Sequence, residues 1–353
     1  MADHDCQVVV LVSCYNGMQY IDDCLNSVLA SDATSFQRHI VVVDDASTDG
    51  SADHIRQQFP QVDCVRLATN RGFAGANNAG YEHIKQNCPN AKYLFLLNMD
   101  TVADTAFLSA MVEHMDQNEN VAAAQSKLLL HDSKRINTAG NRSHYLGFGF
   151  MTGFNEEDTG QYEARPIDFA SGAAMTVRMS AIEKCGLFDE SFFMYLEDAD
   201  LSWKLRSLGH KVTFVPDSIV EHKYEASAPT KYYFQLERNR WILLLTYYRL
   251  PTLILLLPAL LFMELGQVAF SLINGTLGAK FRAWFFFWNP KYIGAVLRRR
   301  SNAQKTRRIG DRELTKSFSG TVDFEAIDSP LLKYVGNPIL GLYWAIVRCV
   351  IVW

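Results

Sequence analysis

Along the first two-thirds of the chain, short apolar runs alternate with segments that are apolar at every third or fourth position. Residues 7–12 are a β-branched run closed by Ser13-Cys14-Tyr15-Asn16-Gly17. A helix to about Ala30 follows, with Ile21, Leu25, Val28 and Leu29 on one face. Residues 39–43 form a second run, ended by Asp44-Asp45-Ala46-Ser47-Thr48-Asp49-Gly50-Ser51, whose later residues suit the cap of a helix near 53–58. A third run at 62–67 leads into Asn70-Arg71-Gly72-Phe73-Ala74-Gly75-Ala76-Asn77-Asn78 and another helix. The fourth, Tyr93-Leu94-Phe95-Leu96-Leu97, ends in Asn98-Met99-Asp100. This alternation predicts an α/β fold with a doubly wound sheet, parallel over this half. Strand ends of such a sheet face the crevice where ligands bind, and a carboxylate there suits a divalent cation holding phosphates.

Residues 107–117 read as a helix and 121–130 as a strand. Residues 133–162 are rich in Gly, Asn and aromatics without a clear period, as in a lid or substrate loop. Residues 169–175 read as a small-residue strand permitting close backbone approach. A helix opens at Leu196-Glu197-Asp198-Ala199-Asp200 and is stopped by Gly209, and 212–215 and 219–222 are strand-like, ending on His222.

Charge divides the chain. From Tyr232 onward 16 Lys and Arg stand against 7 Asp and Glu, whereas the residues before it carry 18 against 31. The acidic part suits a soluble enzyme domain. The basic part is rich in Leu, Phe, Trp and Tyr, which suits an anionic membrane surface; no nucleic-acid-binding motif accompanies it. The 7 cysteines (Cys6, Cys14, Cys24, Cys64, Cys88, Cys185, Cys349) have neither metal-site nor disulfide-framework spacing, so reduced thiols are expected. Met1 to Gln7 is polar, unlike a signal peptide, so the catalytic part is expected in the cytoplasm.

No G-x-G-x-x-G follows the first run, so a dinucleotide fingerprint is excluded. The glycines of the 72–75 segment fit tight turns or close approach to a phosphate. Glu197, Asp198 and Asp200 at a helix start fit the macrodipole, but clustered carboxylates among Phe192, Phe193, Tyr195 and Trp203 also raise one another's pKa, as a general base requires. Arg71 suits a diphosphate or a solvated turn; His222 suits a core position or a metal.

Taken in order, Val12-Ser13-Cys14-Tyr15-Asn16, Val43-Asp44-Asp45-Ala46-Ser47-Thr48-Asp49-Gly50, the 70–78 segment, Leu96-Leu97-Asn98-Met99-Asp100, Leu187-Phe188-Asp189-Glu190, Glu197-Asp198-Ala199-Asp200 and Glu221-His222 resemble the inverting glycosyltransferases of GT-A family 2, in their rhamnosyltransferase-like branch. The resemblance spans roughly residues 8–248. It implies a doubly wound mixed sheet of nucleotide-binding, Rossmann-like type over 1–231, with a nucleotide-sugar half to about 130 and an acceptor half beyond. It further implies that Ser13, Tyr15, Asp45, Arg71, Asn77 and Asn98 bind the nucleotide sugar. Asp100 and His222 would hold Mg2+ or Mn2+, and Asp198, with Glu197 beside it, would be the base. Asn98 departs from the family's D-x-D pattern, where the first position is an acid.

The 232–353 region carries Gln235-x-x-Arg238, but its Trp241 comes three residues after Arg238 instead of directly after it as in the Q-x-x-R-W of processive synthases, which favours addition of one or few sugars. Residues 250–273 are apolar except Glu264 and long enough to span a bilayer. A single span would set the basic residues at 298–308 opposite a cytoplasmic domain, against the positive-inside tendency. Helices lying in the membrane interface are therefore expected, with a span and buried core helices as the other possibilities. The expected reaction moves a sugar, L-rhamnose from dTDP-rhamnose or one from a UDP-sugar, to a polyprenyl-type lipid-linked acceptor at the cytoplasmic membrane face. The alternative is a membrane-docked nucleotide-binding scaffold that lacks catalysis.

Overall fold

The computed structural model describes residues 7–224, 230–324 and 330–353; Cys6 and the rest of the N-terminal stretch before Gln7 lie outside them. Two compact units divide the chain. One takes Met1–Asn141, Met151–Leu205 and His210–Tyr224, the other Arg142–Phe150, Arg206–Gly209 and Glu225–Trp353.

The first unit opens with β1 (Val8–Cys14), α1 (Ile21–Ala30), β2 (Arg38–Asp44), α2 (Ser51–Gln58), β3 (Asp63–Arg66), α3 (Gly72–Asn87) and β4 (Tyr93–Asn98). Next come β5 (Thr101–Ala103), α4 (Phe107–Gln117), β6 (Val121–Leu130) and the short strand β7 (Ile136–Thr138), while the short strands β8 (Asn141–Ser143) and β9 (Gly149–Met151) that follow in the chain lie mostly in the second unit. The order then runs β10 (Arg165–Pro166), β11 (Ala174–Arg178), α5 (Met179–Cys185), α6 (Glu197–Ser207) and β12 (Lys211–His222).

The main sheet has the order β10-β12-β6-β11-β4-β1-β2-β3, with β5 on β12 and β7 on β6. β3, β2, β1 and β4 are parallel, and β11 enters antiparallel between β4 and β6, making the sheet mixed. Val9, Leu11, Leu94 and Leu96 face one core with α3, whereas Val8, Val10, Val12 and Phe95 face the other with α1 and α4. Both faces are covered, which is why these strands read as unbroken apolar runs.

Three readings change. The two strands expected at 212–215 and 219–222 are one, β12, whose pairing with β6 is broken by an irregularity between Val215 and Ile219. The strand expected from 169 starts at Ala174, and the residues before it are its lead-in. The 133–162 segment is not one loop: three-residue strands leave no period to read, and its 142–150 portion belongs to the second unit. There Tyr145 stacks on Trp344 with centroids 4.7 Å apart, and Leu146 O accepts Arg240 Nη1 at 3.1 Å. Those aromatics are core.

The second unit holds α7 (Tyr233–Tyr247), α8 (Leu250–Ile273), α9 (Leu277–Phe286), α10 (Pro290–Thr306), α11 (Asp311–Leu314) and α12 (Asn337–Val350). Glu264, the one acid in α8, is matched inside the unit: Arg240 Nη2 lies 2.6 Å and Lys280 Nζ 2.7 Å from its carboxylate, and both cations also pair with buried Glu237. Buried charges persist only when paired in this way. The basic run is partly consumed by structure too. Arg300 and Arg307 donate to the Tyr248 and Tyr247 carbonyls at 2.6 and 3.0 Å, at the C-terminus of α7, where cations are favoured. By contrast α8 is apolar over a bilayer-spanning length and largely uncovered, with Leu261, Leu265 and Leu272 exposed; so are Phe285 and Trp288 near the end of α9, and Leu342 and Ile346 of α12.

Candidate active site

Register brings the first site residues together. Ser13 pairs with Val43 on one side and Asn98 on the other, and Cys14 pairs with Asp44, so the ends of β1, β2 and β4 lie level. Asn98 Oδ1 is buried without a partner, an acceptor that a ligand hydroxyl would satisfy. Tyr15 projects from the following turn and is 48% exposed. That turn is stitched to the 47–51 loop, with Asn16 N donating to Ser47 Oγ at 2.9 Å and Gly17 N to Ser51 Oγ at 3.0 Å. A depression lined by Ala46, Ser47, Thr48, Arg66, Leu67 and Ala68 adjoins it.

Asp45 is a clamp. It is buried, and its two oxygens accept Arg71 N at 2.7 Å and Gly72 N at 2.9 Å. Burial raises its pKa while these two N–H donors hold it down. At the start of α3, Gly72 N is thereby filled, and Ala74 N is taken by Phe193 O at 3.1 Å. Gly72 has φ +71°, and a Cβ there would sit 2.5 Å from Phe193 O, so this glycine serves a tight approach of protein to protein, not of a phosphate. Asn77 turns inward: it is buried and its Nδ2 bonds Phe73 O of its own helix at 2.9 Å. Its neighbour Asn78, unremarked in the sequence, bonds both Phe188 O (2.9 Å) and Phe188 N (3.0 Å).

A second corner forms where β5 pairs with the end of β12. His222 lies opposite Thr101, and Lys223 N donates to Asp100 O at 2.8 Å. His222 Nε2 is thus 3.4 Å from Asp100 Oδ1, while its Nδ1 is 3.0 Å from Asn137 Oδ1. An amide oxygen only accepts, so Nδ1 carries the proton; in the neutral ring the Nε2 lone pair then faces the carboxylate. Two acceptors in that relation call for a positive charge between them, and an imidazole with a carboxylate fits Mg2+ or Mn2+. His131, Asp132 and Glu221 also cluster nearby. There, however, Glu221 Oε2 lies 2.8 Å from His131 Nδ1 and Asp132 Oδ2 lies 3.4 Å from Nε2. With carboxylates on opposite edges of one ring, this cluster is held together by its own contacts without a cation.

The third corner is the start of α6. Phe193, Tyr195 and Leu196 all have positive φ, an accumulation of backbone strain directly before the acids. Asp198 Oδ2 accepts Gly172 N at 3.1 Å and Oδ1 accepts Ala199 N at 2.7 Å. Burial raises its pKa against those bonds. Glu197 is buried with Oε2 unpartnered, and burial, followed by the Asp198 charge, lifts its pKa well above the ordinary value. Burial is the leading cause for both. Consecutive residues tie this corner to the strand ends: Gly172 N holds Asp198, and Ala173 O accepts Asn98 N at 3.0 Å.

The profile of glycosyl transferase family 2 matches residues 9–186, half of the chain, and the protein belongs to that family. Among curated proteins it is similar to the poly-beta-1,6-N-acetyl-D-glucosamine synthase of Staphylococcus epidermidis, 27% identical over 211 residues, or 59% of this chain and 48% of the relative. The chain spans about half the length of the curated relatives it matches. Among solved structures, S. aureus TarS 1-349 in complex with UDP superposes with a TM-score of 0.51 at 16% identity, covering 97% of this chain and 90% of that one. GalNAc-T7 with UDP, GalNAc and Mn2+ gives 0.54 at 15%, covering 70% and 49%. These likenesses establish the GT-A fold.

Proposed function

We propose that the protein transfers one sugar, with inversion, from a nucleoside-diphosphate donor to a lipid-linked acceptor at the cytoplasmic face of a membrane. The observation that carries this is the pair of bonds from adjacent residues: Gly172 N to Asp198 and Ala173 O to Asn98, which set a desolvated carboxylate beside the nucleotide-side strand ends. In this reading Ser13, Tyr15 and Asn98 contact the nucleoside and Arg71 its phosphates. Asp198 takes the acceptor hydroxyl proton as the oxygen bonds to the anomeric carbon and the diphosphate departs with the electron pair of the broken bond. A carboxylate with raised pKa is the better base near neutral pH. Burial raises the Glu197 pKa, which disfavours a second negative charge beside Asp198. Asp100 and His222 would hold the divalent cation, which when bound neutralises charge on the diphosphate.

UDP is the probe of first choice, since two similar folds are described with it; dTDP-L-rhamnose is the donor that the sequence resemblance favours. Membrane docking draws support from the exposed apolar faces of α8 and α12 and the Phe285 and Trp288 rings, an area of a kind soluble surfaces rarely leave open. Two anchoring cations of the sequence reading, Arg300 and Arg307, are instead used inside the unit. The second reading, a nucleotide-binding scaffold, rests on Asn98 replacing an acid. Hydrolysis of a panel of UDP- and dTDP-sugars, with Mn2+, Mg2+ or EDTA, separates the two: metal-stimulated release of nucleotide supports the transferase, and nucleotide binding without any turnover supports the scaffold.

A further inference from the structure

Arg71 is paired at the surface. Its Nη2 lies 2.6 Å from Glu190 Oε1, an oxygen that Asn78 Nδ2 also approaches at 3.4 Å. The two side chains of the ion pair are 39% and 48% exposed, so their attraction is screened and easily exchanged. Everything around them is fixed more firmly. Asp45 holds Arg71 N and Gly72 N, Phe193 O caps Ala74 N, and Asn78 binds both polar groups of the Phe188 backbone. Opening the ion pair therefore frees only the long Arg71 side chain and leaves both loops in place. The same arrangement joins the donor-side loop to the segment that leads, through strained Phe193, Tyr195 and Leu196, into Asp198.

We propose that Glu190 is a placeholder for the donor's diphosphate: its carboxylate occupies the Arg71 guanidinium in the donor-free protein, and an incoming nucleoside diphosphate exchanges with it. The inference rests on the nucleotide-sugar reading of this site. A diphosphate carries more charge than a carboxylate and accepts a guanidinium fork equally well, so the exchange favours the nucleotide while holding Arg71 extended and ready beforehand. Glu190 is then a positioning residue with a measurable cost, because it competes with the ligand it prepares for.

The test is calorimetric binding of UDP, dTDP and GDP, and of inorganic pyrophosphate, in Mn2+, to the wild-type chain, Glu190→Gln, Arg71→Ala and the double variant. Glu190→Gln is expected to bind the preferred nucleotide and pyrophosphate about five-fold tighter, the scale of one exposed ion pair. Arg71→Ala is expected to bind more weakly, and the double variant to match Arg71→Ala, since without the guanidinium there is nothing to compete for. A residue that merely clasped the loop could weaken binding when changed but could not tighten it. Unchanged or weaker binding by Glu190→Gln, or a Glu190→Gln gain that persists without Arg71, overturns the placeholder alone. Absence of nucleotide binding by the wild-type chain overturns the nucleotide-sugar reading and the placeholder together.

Discussion

His222 Nε2 lies 3.4 Å from Asp100 Oδ1 because antiparallel pairing of β5 with β12 sets His222 opposite Thr101, and Asn137 fixes the ring from behind. Two side chains are a thin ligand set for a hard divalent ion, which otherwise fills its shell with water and phosphate oxygens. Donor-free protein is accordingly expected to bind Mn2+ weakly, and to bind it more tightly with UDP present. Calorimetry reporting tight Mn2+ binding without nucleotide would overturn this. Asn137→Ala is expected to raise the Mn2+ concentration for half-maximal turnover about 10–100-fold, the usual weight of a partner that orients a metal-binding histidine.

The Glu197 carboxyl gives a pH signature in stability. Its folded pKa is raised well above the ordinary value of 4.5, so between that value and the folded pKa the native state binds more protons than the unfolded chain. Stability from this group is full below the ordinary value and is lost as pH rises through the folded pKa. Glu197→Gln removes the penalty, so the loss of Tm between pH 5 and pH 8 is expected to be smaller in the variant. An unchanged Tm difference would show that Glu197 ionises in the fold without cost.

Gly72 is the backbone element on which the donor-side loop closes. With φ +71° and Phe193 O 2.5 Å from an added Cβ, Gly72→Ala is expected to destabilise the fold by about 2 kcal/mol or more, read from chemical denaturation. A loss under about 0.5 kcal/mol, the range of an unremarkable surface change, would mean that the loop relaxes freely.

How much of this was legible depended on the length of each signal. The strand runs 8–14 and 93–98 declare themselves because both faces are buried, and Asp100, Asp198 and His222 stand out as polar residues at element ends. β7 and β9 are three residues each, too short for any period, so their segment reads as a loop. Asn77 and Asn78 are adjacent and chemically identical; only the helix phase, which turns the first onto Phe73 O and the second onto Phe188, separates a buried helix residue from a loop anchor. Asn137 and Glu190 act through contacts with residues 85 and 119 positions away, which no local pattern carries.

The apolar faces of the second unit predict membrane affinity. Leu265 and Leu272 are 73% and 62% exposed, and replacing both with Asp is expected to abolish cosedimentation with anionic phosphatidylglycerol vesicles while leaving UDP binding in place. Undiminished vesicle binding by the double variant would remove this face as the docking surface.

The central claim is that Asp198 removes the acceptor proton, and Asp198→Asn measures it most directly when donor hydrolysis and UDP affinity are followed in the same preparation. Turnover is expected to fall about 10²–10⁴-fold, the contribution of a positioned general base. UDP affinity is expected to stay close to that of the wild-type chain, since the Asn Oδ1 can still accept the Gly172 N–H that ties Asp198 to the nucleotide side. Near-normal turnover with intact UDP binding would contradict the account.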